Sequence, residues 1–535
     1  MRKNWIVLLG CCMLYQSSCT DNNYDLSDID TTTSIKVDHL TVPVKFGDIT
    51  LDQVLDMDND NPDNPIKTFE DSNGKSYYAI EVKGDFMADD IFVEEFEATQ
   101  PATTDNLPID NIDGKIKNLI TQFSYSVNDV DPSLVKLYHL GLKESNPIQI
   151  QLSLEGNKGS IDEVVVIIPE NFTAFFDGKE VLGNKVYLGS LAAGEISEPI
   201  FVYSIDFADG LTPFNGKMEF HGEIGIESAV VKGEGRGNTV NFLMSPFKVT
   251  TISGSIDYEI EAPEFESVSL DGLPDFLKDG ESNLVIENPQ IYLNFENPLG
   301  APFLTTLQIE PKGNDGKKIT KNLSPFVTSI VLAGDTKNLN KSEGEGAVIE
   351  EWKDLRYVLA GNGLPDSIDF KLESTYLRGE VINLKLGDYM QVGGNYSFFS
   401  PLAFGEGSKI LYQKSEKDFF GDDVKDVKIS YFQITTLPET NLPLSVELTI
   451  YPLDNSGNRI LDDNGNYIEA NGKVDPYADG RTPLELKNNQ NFNGLDGIEY
   501  VVTVDDLQGE TLRPDQFIRL KDIKAVISGE YITKF

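Results

Sequence analysis

Chemistry needs a nucleophile, a base, a metal site or a cradle for charge, so the residues able to supply these come first. Cys11, Cys12 and Cys19 are the only thiols, and all lie near the N-terminus. His39, His139 and His221 are the only imidazoles. They stand far apart in sequence, so a triad would need assembly across separate units. No Gly-x-Ser-x-Gly elbow occurs. There is no His-Glu-x-x-His and no paired-cysteine spacing, so zinc is not expected. Gly233-Glu234-Gly235-Arg236-Gly237 is glycine-rich, but it lacks a phosphate-binding lysine and Glu234 would repel phosphate. It reads as a flexible or bulged connection between strands.

Carboxylates are abundant. Glycoside hydrolysis needs only two, about 5–10 Å apart, and a chain with 87 Asp and Glu leaves that open. Asp56-Met57-Asp58-Asn59-Asp60-Asn61-Pro62-Asp63 clusters hard oxygen donors, so Asp56, Asp58, Asp60 and Asp63 are the candidate calcium ligands. Against the EF-hand template, Asn61 stands where glycine is expected and Lys67 where the bidentate Glu belongs. A solvated acidic loop is the competing reading. Calcium is thus the one cofactor the sequence suggests. Asp454-Asn455-Ser456-Gly457 and Asp462-Asp463-Asn464-Gly465 read as hairpin turns, since Asp/Asn-Gly supplies the positive φ those turns need. Of the two tryptophans, Trp352 lies beyond the leader, with a helical spacing that suggests core. The 21 Tyr and 30 Phe single out no sugar-stacking platform by pattern.

The balance of 44 Lys and Arg against 87 Asp and Glu gives a formal charge of −43. A nucleic-acid binder needs clustered cations to displace counterions, so nucleic acid is not an expected partner. The hydrophobic share of 40% suffices for a packed core and is too high for a disordered chain. The length predicts several domains.

The N-terminus reads as processing. Arg2 and Lys3 precede an apolar run from Trp5 to Leu14. That run is too short to span a bilayer, which takes about 20 apolar residues. Tyr15-Gln16-Ser17-Ser18-Cys19 then resembles a bacterial lipobox, with Gln16 in place of the usual Leu or Val. The resemblance implies a signal peptide over 1–18, cleavage before Cys19 and lipid on Cys19. A non-lipidated signal peptide is the alternative. With Cys11 and Cys12 removed and Cys19 acylated, no disulfide is expected. The acidic stretch after Cys19, a polar tether over 19–33, resembles the surface-export signal of Bacteroidota lipoproteins. It implies an outer-membrane, cell-surface location. Asp30-Thr31-Thr32 and Asp366-Ser367-Ile368 resemble the Bacteroidota O-glycosylation sequon, which would put sugar on Thr31 and Ser367.

The elements that must position any site read as strands. Ile148 to Leu154, Ile291 to Phe295 and Leu444 to Ile450 alternate apolar and polar residues, which gives one buried and one solvated face. Forty-five Gly and 26 Pro punctuate the chain. Landmarks recur at about 140 residues: Asn146-Pro147 and Asn288-Pro289, then Pro169, Pro311 and Pro452, each read as ending a strand. Ile252-Ser253-Gly254, Val392-Gly393-Gly394 and Ile527-Ser528-Gly529 repeat likewise, with Ile120 to Val127 as a fainter fourth example. The expected fold is all-β, tandem antiparallel β-sandwiches with a few short helices. The expected units are an N-terminal β domain over 34–127 and repeats over 128–260, 261–400 and 401–535. Val348 to Leu359 is the expected helix, with Trp352, Leu355 and Leu359 on one face. Leu273 to Gly280 is a candidate single turn with Pro274 in first position.

The Asn-Pro turns flanking strands, Asn288-Pro289 and Asn297-Pro298-Leu299 with echoes at Asn146-Pro147 and Asn441-Leu442-Pro443-Leu444, resemble the late-embryogenesis-abundant type-2 (water stress and hypersensitive response) β-sandwich. That likeness implies a fold and no activity. The N-terminal layout resembles uncharacterised Bacteroidota surface lipoproteins. Together these predict a non-catalytic surface lipoprotein, a modular adhesin or binding stalk with a glycan or protein ligand. The alternatives are a glycan-capture or outer-membrane transport accessory, a carrier of lipid or apolar cargo, and a glycoside hydrolase.

Overall fold

Period-two alternation drives each strand to bury one face and solvate the other. The computed structural model describes residues 32–534, apart from 43, 45–46, 56, 58–63, 110–113, 234–236, 343–344, 422–423, 425–426, 444, 475–482, 490–491 and 506–508. Strand makes up 61% and helix 3%, which establishes an all-β class.

Among the described strands of four residues or more, three come first, β1 (Thr32–Val42), β2 (Ile66–Glu70) and β3 (Ser76–Met87). The next set is β4 (Lys115–Val127), β5 (Leu134–Leu142), β6 (Ile148–Glu155), β7 (Ser160–Ile167), β8 (Phe172–Phe176), β9 (Lys185–Ala192), β10 (Ile200–Leu211), β11 (Met218–Lys232), β12 (Thr239–Met244) and β13 (Phe247–Ile260). There follow β14 (Gln290–Glu296), β15 (Thr306–Lys312), β16 (Ile319–Asn322), β17 (Ser329–Ala333), β18 (Val348–Glu351), β19 (Ser367–Leu372), β20 (Thr375–Lys385) and β21 (Gly393–Pro401). The last set is β22 (Lys409–Glu416), β23 (Val427–Thr440), β24 (Val446–Asp454), β25 (Ala470–Val474), β26 (Leu484–Asn488), β27 (Leu495–Asp505) and β28 (Phe517–Lys534).

One antiparallel order recurs three times. The first sheet of each pair runs β9-β7-β11-β4, then β16-β15-β19 with Val268–Ser269, then β25-β24-β27-β22. Its companion runs β10-β6-β12 with Leu107–Pro108, then β17-β14-β21-β3, then β26-β23-β28-β1. Aromatic side chains fill the space between sheets. Phe123 and Tyr125 of β4 meet Phe172 at 5.8 Å and Phe247 at 5.0 Å respectively. Phe370 of β19 meets Tyr396 of β21 at 5.7 Å. A fully buried ring of this kind contributes about 2–3 kcal/mol.

The N-terminal segment does not keep its strands to itself. β1 pairs with β28, β3 with β21, and Leu107–Pro108 with β12. Residues 34–127 therefore lend a strand to each sheet pair, in reverse order along the chain. The border expected at 128 separates β4 from its partner β11. Nor are the four landmarks equivalent, because Ile252-Ser253-Gly254 lies on β13, outside the recurring order, and Ile120 to Val127 lies in the other kind of sheet. The sheet pairs are also joined to one another. β13 pairs with β20, which carries the first companion sheet into the second unit. Phe276 meets Tyr412 of β22 at 5.5 Å, across to the third.

Three local expectations change. Val348 to Leu359 is not an α-helix. Its first four residues form β18, which runs parallel to the edge strand β17, and Lys353–Tyr357 makes a 3₁₀ turn. The β-branched Val348 and Ile349 sit better on an open sheet edge than in a helix. Trp352, Leu355 and Leu359 are still buried. Pro311 and Pro452 do not end their strands but pair with Ile368 and Ile498. Each lies beyond the last register partner of β16 or β25, so neither of those ladders calls on its missing N–H. The single turn near 273 is helix α1 (Asp275–Lys278), with Pro274 in the cap position.

Candidate functional site

A cleft of about 930 Å³ opens where the second and third sheet pairs meet the β2–β3 hairpin. Convergent polar groups in a large concavity are the default mark of a binding site. Its walls come from the β2–β3 hairpin, from Glu287 and Asn288 before β14, and from the segment after β17. The connections after β21 and between β27 and β28 complete it.

Asn288 organises one wall. Its φ of 50° lies in the left-handed region that Asn tolerates, and the following Pro289 disfavours the right-handed alternative. From there Oδ1 accepts from Asp335 N at 2.8 Å, and Nδ2 donates to Asn338 O at 2.9 Å. These bonds start a strap, residues 335–342, that crosses the outer face of β14, β21 and β3. Asn340 Nδ2 donates to Tyr77 Oη at 3.0 Å, and Gln290 Nε2 donates to Asn340 Oδ1 at 2.7 Å. Lys341 then reaches the carboxylate of Glu81 and Ser397 Oγ, the latter at 2.9 Å, with its ammonium 5.4 Å from the Phe399 ring centroid. Glu81 is only 8% exposed and also faces Lys83 at 3.2 Å and Lys67 at 3.7 Å. Burial works to raise its pKa, but the lysines outweigh burial and hold the carboxyl below its ordinary value.

On the opposite wall Arg513 ties the β27–β28 connection to the hairpin. It donates from Nη2 to Asp71 Oδ2 and from Nη1 to Ser76 O, both at 3.2 Å. Backbone N–H groups of Lys75 and Asn73, and then Arg513, hold the Asp71 carboxyl below its usual range. Burial pushes the Tyr77 phenol up. At neutral pH the cleft thus presents the ionised Asp71 carboxylate with its partner Arg513, several amides and a protonated phenol. Such a lining can bind through hydrogen bonds.

The sequence-derived candidates lie elsewhere. Cys19, Thr31 and the proposed calcium ligands Asp56, Asp58, Asp60 and Asp63 fall outside the described residues. Ser367 opens β19, half-buried, in register with Ser269 and Lys312. The histidines sit on β1, β5 and β11. His39 and His139 pair with Asp38 and Asp206 at 2.6 Å, and no triad is assembled among them. Asp454 and Asp462 fold the expected tight turns, each Oδ1 accepting two backbone N–H groups. Among the described residues, no group of three or more His, Cys, Asp or Glu is arranged to hold a metal ion. The cleft itself escaped sequence reading, because its walls come from five distant segments. Asn288-Pro289 was the one visible signal.

No family model matches the sequence, and no curated protein matches it. Among solved structures the chain is similar to a candidate secreted protein from Parabacteroides distasonis. That likeness has 16% identity and a TM-score of 0.35, over 52% of this chain and 90% of the other.

Proposed function

We propose that this chain is a non-catalytic lipoprotein, held in the outer membrane by acyl chains on Cys19, that serves as a modular adhesin or binding stalk on the cell surface. The observation that carries this reading is the course of the N-terminal segment. β1 follows the acidic tether directly and runs along β28, so an anchor at Cys19 would attach beside the third sheet pair. From there the segment passes along the second pair to the first, a layout that suits holding loops away from a membrane. Among the described residues no helix is long and apolar enough to cross a bilayer, which agrees with attachment by lipid. The cleft between the second and third pairs is the proposed ligand site.

The apolar-cargo reading draws less support. The apolar cavity beside Leu55, Phe276 and Val502 has about 50 Å³, room for a water or two and not for an acyl chain. Mass spectrometry of the N-terminal peptide from membranes tests the anchor. The expected peptide starts at Cys19 and carries acyl chains. An unmodified Cys19, or a leader still attached, would overturn the proposal.

A further inference from the structure

The outer face of the first companion sheet carries aromatic rings where solvent-facing strand positions ordinarily carry polar residues. On β10, Ile200 and Val202 point into the sandwich and are buried, so Phe201 and Tyr203 stand on the solvent side, each half-buried. Phe201 is cross-strand partner to Phe175 of β8, on the same face. The three rings touch as a group. Phe175 meets Tyr203 edge-on at 5.4 Å and 80°, and Phe201 lies within 25° of parallel to Tyr203 at 6.5 Å. Scattered exposed apolar residues are ordinary, but three rings joined through Tyr203 on an open sheet face form a patch.

Two of the polar neighbours are uncharged amides. Gln149 of β6 is paired in register with Phe201 and exposed, and its side-chain amide has no partner among the described residues. Gln151, two positions on, donates to Ser197 O at 2.9 Å and pairs with Leu243. The chain has about twice as many acidic as basic residues, yet these positions carry neither. One carboxylate, Glu180, sits at the rim, opposite Phe175. A cation would find one counter-charge, Glu180 at the rim, and none among the rings and amides, while an anion would meet that carboxylate and a chain of charge −43. Aromatic surface flanked by amides matches a ligand with apolar C–H faces and many hydroxyls but no charge.

We infer that this face binds an uncharged glycan chain, with Phe175, Phe201 and Tyr203 packing against sugar rings and Gln149 and Gln151 hydrogen-bonding their hydroxyls. The inference deepens the binding-stalk reading and supplies a ligand class at a site separate from the cleft.

Native affinity electrophoresis of the purified full chain tests it, with soluble starch, glucomannan, xyloglucan, mannan and polygalacturonate as probes. At least one neutral polysaccharide should retard the protein, and added salt should leave that retardation unchanged. Phe201→Ala with Tyr203→Ala should weaken it at least about tenfold. Gln149→Ala, at an exposed position that leaves the fold intact, should weaken it by a smaller factor. The inference fails if no neutral polysaccharide retards the chain, or if the double variant binds as wild type. It fails equally if only polygalacturonate acts, or if sedimentation shows a dimer that the double variant abolishes, for then a second copy covers the face. The state of Cys19 is read by mass spectrometry, so failure here leaves the anchoring proposal separately decidable.

Discussion

At the scale of single residues, the strap beside the cleft is tied to one nearly buried carboxylate. Glu81 faces three lysines, and of these Lys341 alone belongs to the strap. Its folded-state pKa lies below the ordinary 4.5. A depressed carboxylate stabilises the fold at neutral pH, and that contribution is lost as pH falls from the unfolded value through the folded one. The amides of Asn340 and Lys341 report on the strap, because they donate to Gln290 Oε1 and the Tyr292 hydroxyl. Glu81→Gln should reduce their hydrogen-exchange protection about tenfold to thirtyfold at neutral pH, equivalent to about 1.5–2 kcal/mol. The difference from wild type should shrink as pH falls through the lowered pKa of Glu81. A pH-independent difference would mean that shape, and not charge, holds the strap. None of this was legible in the sequence. Glu81 reads there as one acidic residue in an alternating strand, and Lys341 lies 260 positions away. Only Asn288 announced itself, since an Asn before Pro states a backbone preference locally.

At the scale of elements, what the sequence showed and hid divides by the range of the cause. Strands were legible because period-two burial is local, and so were the Asp-to-Gly turns at 454 and 462. The stretch from Val348 was misread because its fate depended on β17, an apolar edge strand that accepts a parallel neighbour. The prolines at 311 and 452 were misread for a related reason, since their tolerance depends on where the adjacent strand stops. β1 is an edge strand of different character. It exposes Ile35 and Leu40, carries Lys36, Asp38 and His39, and its register shifts between Val37 and Leu40. Charges and a bulge blunt an edge against stray pairing. With so little burial its attachment to β28 rests mainly on backbone hydrogen bonds. Amide exchange in β1 should therefore be at least about tenfold faster than in β23, which has neighbours on both sides. Equal protection would show that β1 opens only with the whole third unit.

At the scale of the whole molecule, the spacing of about 140 residues was visible because each unit repeats its strand order and its turn residues. The part played by residues 34–127 was hidden. Each strand lent from that segment finds its partner far along the chain, and strand pairing at such separation leaves no periodic trace. The consequence is that the first and last described strands lie side by side, with Thr32 opposite Lys534. If Cys19 is the anchor, the tether leads first into β1 and so to the third unit. Orientation at the cell surface is the claim on which this account of function turns. Protease treatment of intact cells, with released peptides identified by mass spectrometry, tests it most directly. Peptides from all three units, including β10 and β24, should be released without lysis. A chain left whole until the outer membrane is broken would face the periplasm and contradict a role as a surface stalk.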